Sequence, residues 1–108
     1  MAFNENMEAL NNMLKLVDPS KLEGINAICQ LELTGDGGGV AQIKTHEGTI
    51  EVREGTPGSP DITIRMAGTD FPSLLSGQLN AVAAFMTGPI KIDGDMSLVF
   101  KLQKLLGG

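Results

Sequence analysis

The sequence predicts an α+β domain: a helix, a meander of three strands, a fourth strand, two short helices, a fifth strand and a last helix. Three observations carry that prediction. The chain has 108 residues, enough for one domain and too few for two ordinary ones. Apolar residues at spacings of 4, 3, 4 and 3 mark a helix at the start. Alternating apolar and polar residues mark strands in the middle.

Residues 3–17 read as a helix because Phe3, Met7, Leu10, Leu14 and Val17 stack on one face. Asn4, Glu5, Glu8, Asn11 and Asn12 take the other. Glu5 and Glu8 lie in the first turn and Lys15 in the last, as the helix dipole favours. Asp18-Pro19-Ser20 restarts a short helical turn, with Asp18 as cap, Pro19 at the first position and Gly24 as terminator. Residues 25–34 alternate, with Ile25, Ala27, Cys29, Leu31 and Leu33 on one face and Ile28 the exception on the other. That places Cys29 inside as a small hydrophobe. The glycine-rich stretch 35–39 would need to open a helix to cradle phosphate, and a strand over 40–45 follows it, so it reads as a hairpin turn. His46-Glu47-Gly48 is the next turn; neighbours in a turn point apart into solvent, which argues against acid–base work there. Residues 49–53 form the third strand, with Ile50 and Val52 inward.

Residues 54–60 carry two prolines and two glycines and read as a connector. The fourth strand, 61–66, puts Ile62, Ile64 and Met66 on one face. Thr69 or Asp70 is expected to cap a helix containing Phe71, Pro72, Leu74 and Leu75 that ends near Gly77. Asn80 caps a second helix, 81–86, ended by Gly88 and apolar on nearly all sides, so that much of its circumference needs cover. Residues 89–93 form the fifth strand. Gly94 turns the chain, and Asp95 caps a last helix reaching about Leu106, again with an apolar arc wider than a surface helix needs.

Composition excludes several functions. Hydrophobic residues make up 42% of the chain, enough to offset the entropy of ordering. The net charge of −5 and the lack of any basic run argue against nucleic acid and against tight adhesion to anionic membranes. One cysteine allows no intramolecular disulfide and no thiolate metal cluster, and one histidine leaves a zinc site or a Ser-His-Asp triad resting on His46 alone. No apolar run has the length of a membrane span, and the first residues lack the layout of a signal peptide, so a cytoplasmic, intact chain is expected. Six methionines and no Trp or Tyr fit either a soft core filler or a cavity wall that accepts varied apolar shapes.

The second half carries further wording. Residues Pro60-Asp61-Ile62-Thr63-Ile64, Gly77-Gln78-Leu79-Asn80, Ala84-Phe85-Met86-Thr87-Gly88, Ile90 through Met96 and Lys101 through Leu106 stand in order. In this the sequence resembles the sterol carrier protein 2 family, most strongly from residue 60 onward. The resemblance implies one lipid-binding domain over residues 1–108: a five-stranded, mostly antiparallel sheet covered by helices around an apolar tunnel. It implies a tunnel that holds sterols, fatty acids, fatty acyl-CoA thioesters or other lipids, with no catalytic residue, cofactor or metal. The family's common Asn-Pro-Gln stands here as Asn80-Ala81-Val82, so Val82 replaces a glutamine that offers the tunnel a polar contact. The ending Leu106-Gly107-Gly108 is not a Ser-Lys-Leu-type peroxisomal address.

The residues argue toward the same end independently. The 81–86 helix and the last helix have more apolar surface than the sheet can cover, which leaves either complete mutual packing or a cavity for an apolar guest. The expected wall comprises Met66, Phe71, Leu74, Leu75, Leu79 and Val82, with Phe85 and Phe100 giving shape and Met86, Met96 and Val99 completing it. Residues 1–70 carry 5 bases and 11 acids, residues 71–108 carry 3 bases and 2 acids, and Lys101 and Lys104 are candidates to tolerate an anionic headgroup at the exit. The reading is therefore non-enzymatic binding and transfer of a lipid, with at most transient membrane contact and with a homodimer compatible. The alternative is a structural or assembly domain whose apolar helices bury against another protein chain. An enzyme fares worst, because the Asp93 and Asp95 pair is explained by a strand-to-helix turn.

Overall fold

The first helix, α1, covers Phe3–Leu14, and its 4–3 spacing buries Met7 and Leu10 against a sheet. It belongs to a computed structural model that describes residues 3–18, 20, 24–95 and 97–98. The strands are β1 (Ala27–Thr34), β2 (Gly39–His46), β3 (Thr49–Glu54), β4 (Ile62–Ala67) and β5 (Lys91–Gly94). Two short helices, α2 (Phe71–Leu75) and α3 (Ala81–Thr87), lie between β4 and β5. The sheet has the order β3-β2-β1-β4-β5; every neighbouring pair is antiparallel except β1 and β4, which run parallel.

Register puts one apolar row after another on the inner face. Cys29 stands between Ile43 and Ile62, and Leu31 between Ala41 and Ile64. Ile43 faces Val52 on β3, and Ile64 faces Ile92 on β5. The burial of β1 alternates as the sequence predicts, although the strand begins at Ala27 rather than at residue 25; Ile25 is buried ahead of it. The outer face is polar. Arg65 pairs with Glu32 at 2.8 Å, and Gln42 grips the 54–60 connector by donating to the Gly58 carbonyl at 2.7 Å and accepting from its N–H at 3.0 Å.

The glycine-rich stretch closes the β1–β2 hairpin, with the Gly38 N–H donating to the Gly35 carbonyl at 3.0 Å. Its composition answers to close packing. Asn6 of α1 is buried and its Nδ2 donates to the Gly37 carbonyl at 3.0 Å and to the Gly68 carbonyl at 3.1 Å. A Cβ on Gly68 would sit 2.7 Å from the Gly37 carbonyl carbon, so only glycine fits where these two backbones meet. The β2–β3 turn has positive φ at both Glu47 (48°) and Gly48 (78°), the type I′ geometry that suits a two-residue hairpin.

Two local expectations differ from the structure. Asp70 stands at the head of α2, but its side chain makes no capping hydrogen bond. Its backbone is already helical, and Pro72 removes one of the N–H groups such a cap would serve. Asn80 does cap α3, accepting from the Ala83 N–H at 3.1 Å, and Gly88 ends that helix with φ 107°. However, α3 is not covered all round: Ala84 is buried, whereas Met86 is 79% exposed. Of the predicted last helix only Ser97 and Leu98 are described, with the Asp95 carboxylate accepting from the Ser97 N–H at 2.9 Å. The rest of that helix, and most of the turn predicted after Asp18, lie outside the described residues.

Candidate functional site

An apolar cavity of about 70 Å³ lies on the inner face of the sheet. Leu10 and Leu14 of α1 roof it, Phe71, Leu74 and Leu75 of α2 close one side, and Leu31, Ile43, Ile50 and Ile64 form much of the floor. Each contributor follows from a pattern in the chain: the strands present every second residue, and α1 presents positions three or four apart.

The two remaining lining residues, Cys29 and Thr45, are chemically silenced. Burial pushes the Cys29 thiol up to about 12, so it is neutral and unreactive at ordinary pH. The Thr45 hydroxyl accepts from the Ala27 N–H at 3.2 Å and donates to the Ala27 carbonyl at 3.3 Å, which leaves its methyl group to the cavity. Among the described residues the lining thus presents hydrocarbon to the cavity. A void of this size, 70 Å³, costs about 2 kcal/mol when empty, which an apolar guest recovers.

A second, wider hollow of about 340 Å³ lies beside the first, between the end of α1 and the outer strand β3. Leu14 and Ile50 line both. Its other walls are Asn11, Lys15, Val17, Gly48 and Val52.

The predicted wall residues divide in the structure. Phe71, Leu74 and Leu75 line the cavity. Met66 is buried and Leu79 half-buried in the neighbouring core, Phe85 is half-buried on α3, and Met86 is turned to solvent. The Val82 side chain and Met96, Val99 and Phe100 lie outside the described residues, as do Lys101 and Lys104. This cavity sits under the first two helices. Leu10, Leu14, Leu31, Ile43, Ile50 and Ile64 line it without having been expected on the wall, although their inward direction was legible from spacing and alternation.

Elsewhere, His46 Nε2 lies 3.7 Å from Glu47 Oε1 in an exposed turn. Among the described residues no group of three or more His, Cys, Asp or Glu side chains could hold a metal ion, and no helix is long and apolar enough to cross a membrane.

Comparison with known proteins agrees with this architecture. The chain is 36% identical over 87 residues to hydroxysteroid dehydrogenase-like protein 2 of Bos taurus, covering 79% of this chain and 21% of that protein. It is 35% identical over 88 residues to peroxisomal multifunctional enzyme A of Dictyostelium discoideum, covering 82% of this chain and 20% of that one. The chain therefore spans about a fifth of the length of these relatives. The solution structure of palmitated SCP2L2 from Aedes aegypti has the same fold, with a TM-score of 0.75, 24% identity, and coverage of 100% of this chain and 96% of that one. Residues 9–107 match the SCP-2 sterol transfer family, and with the sheet order and helices already described this makes the chain a member of that family.

Proposed function

We propose that residues 1–108 act as one lipid-binding unit that takes the hydrocarbon part of a lipid into the cavity under α1 and α2 and passes it on without chemistry of its own. The observation that carries this reading is the cavity itself. Among the described residues every lining side chain but Thr45 is apolar, and the Thr45 hydroxyl is occupied by backbone, so water gains little there and a methylene chain gains about 0.8 kcal/mol per buried CH2. The family's description as a sterol transfer family supports the lipid, and the palmitate on the Aedes aegypti protein is a lipid carried by the same fold. The two relatives are much longer than this chain, so the unit serves either alone or as the lipid-holding part of a larger enzyme. A cytoplasmic setting belongs to this proposal, and the peroxisomal name of the Dictyostelium discoideum relative is its rival.

Occlusion tests the reading. The chain has no tryptophan, so Leu75→Trp both narrows the cavity and supplies a fluorophore. The variant is expected to stay folded and to lose at least about tenfold in displacement of a fluorescent fatty-acid probe, roughly the 1.4 kcal/mol of one to two buried methylenes. Undiminished displacement by a folded Leu75→Trp variant would move the site elsewhere. A second reading, burial of apolar surface against another chain, draws on Met86 and Leu16, which are 79% and 85% exposed. It predicts a mass that rises with concentration in sedimentation and no lipid in organic extracts of the purified protein.

A further inference from the structure

The two edges of the sheet are built differently. β5 is four residues long and has Pro89 just ahead of it, so it offers a new strand little to pair with. β3 is six residues long, has no proline, and pairs with β2 in an unbroken register from Thr49 to Glu54. No described strand lies on its other side. The Gly55 N–H donates to the Val40 carbonyl at 2.8 Å on that same register, so the odd-numbered residues of β3 turn their N–H and C=O groups toward β2. Ile50, Val52 and Glu54 therefore hold theirs out along the free edge. The side chains alternate with the same period. Glu51 and Arg53 stand exposed on the outer face, 2.9 Å apart, while Ile50 and Val52 are half-buried on the inner face, where they line the hollow of about 340 Å³.

Two such edges can pair antiparallel about a twofold axis in few registers, and charge chooses among them. Centred on Val52, the pairing sets Glu51 opposite the partner's Arg53 and Arg53 opposite the partner's Glu51, while Val52 meets its own copy on the inner face. In that register the outward N–H and C=O groups of Ile50, Val52 and Glu54 also fall opposite one another. Shifting the centre by one residue sets Glu51 against Glu51 or Arg53 against Arg53, and like charges directly opposite are unfavourable. A further charge fits the same arrangement: the partner's Glu54 stands opposite Ile50, which shares the hollow with Lys15.

We propose that β3 is a self-complementary edge and that its partner is a second copy of this chain, joined antiparallel about Val52 so that the two sheets run on as one with their helices on the same side. This goes beyond the lipid-binding reading and does not depend on it, because the cavity under α1 and α2 stays within each copy.

Sedimentation equilibrium of the full chain and its charge variants tests it. The wild type is expected to approach twice its monomer mass as concentration rises. Glu51→Arg and Arg53→Glu, both at exposed positions, each set like charges against one another across the axis and are expected to weaken the dimer at least about tenfold. An equimolar mixture of the two variants is expected to recover the wild-type behaviour, because a basic edge then meets an acidic one, and the chain carrying both exchanges should pair with itself again. Val52→Pro removes an N–H that β2 does not use, and is expected to sediment as a monomer with its circular dichroism unchanged. The charge variants decide alone if the proline disturbs the strand. A wild type that stays monomeric at millimolar concentration would leave the edge to a strand of another protein and overturn the inference. Single variants that associate as tightly as the wild type, or a mixture of them that stays monomeric, would overturn it too, by assigning the contact to a face other than β3. Lipid uptake is read separately by probe displacement, so these results leave the lipid-binding reading standing.

Discussion

Cys29 and Thr45 sit opposite one another in character and end alike, as parts of an apolar surface. Alternation along β1 makes Cys29 legible as an inward residue, and the structure adds why it is inert: burial disfavours the thiolate, raising its pKa from 9.0 to about 12. The sign of the linkage follows. A group whose folded pKa is raised contributes stability that is complete below its unfolded pKa and is lost as pH rises through the folded one. Stability is therefore expected to be flat in this respect below about pH 9 and to fall between about pH 9 and about 12, and Cys29→Ala should remove that part of the slope in denaturant titrations. A slope unchanged by the substitution would assign the alkaline loss to other groups. Thr45 was not legible as a wall residue, because a hydroxyl in a strand reads as outward until its partner, the Ala27 backbone across the ladder, is known. Glu32 shifts the other way: hydrogen bonds from Gln30 and then Arg65 hold its carboxyl below the usual range, so its small contribution is lost as pH falls through the lowered value.

Among the elements, α1 depends on contacts the chain places far apart. Its apolar face was readable from spacing, but Asn6 was not, since its two carbonyl partners lie 31 and 62 residues away. The amide fastens the helix to the meeting point of the glycine-rich turn and Gly68, and its own Oδ1 has no hydrogen-bond partner among the described residues. Asn6→Ala removes the side-chain donor from the buried Gly37 carbonyl and leaves the Gly68 carbonyl only the Phe71 N–H at 3.4 Å, with an expected loss of about 1–3 kcal/mol in urea unfolding. A loss under about 0.5 kcal/mol would mean that water replaces the amide at no cost. All five strands fall within two residues of where alternation puts them. The helices were less legible. The short α2 owes its place to Phe71 on the core rather than to a cap, and the exposed side of α3 was hidden because a sequence of small and apolar residues gives no sign of which face meets the sheet.

Across the whole molecule, the unread quantity was the distance between layers. The inward set of side chains was visible, but whether helices close fully on the sheet depends on the tether at Asn6 and the lengths of α1 and α2, and these leave the gap near Leu14. Filling it should stabilise the fold as a unit. Palmitate at about a hundred times its dissociation constant is expected to add about 2.7 kcal/mol, read as a rise in the thermal midpoint, and Leu75→Trp should lack most of that rise. A midpoint indifferent to ligand would mean that binding, if present, does not involve the folded cavity.

The parallel pairing of β1 with β4 has a consequence during translation. The ribosome delivers β1 first, then the β2–β3 hairpin, which docks along one side of it by short-range turns. The other side must wait for β4, whose last residue is Ala67. Throughout that interval a nascent chain presents a bare ladder of N–H and C=O groups along Cys29 to Thr34, and neighbouring ribosomes on one messenger would bring matching ladders close together.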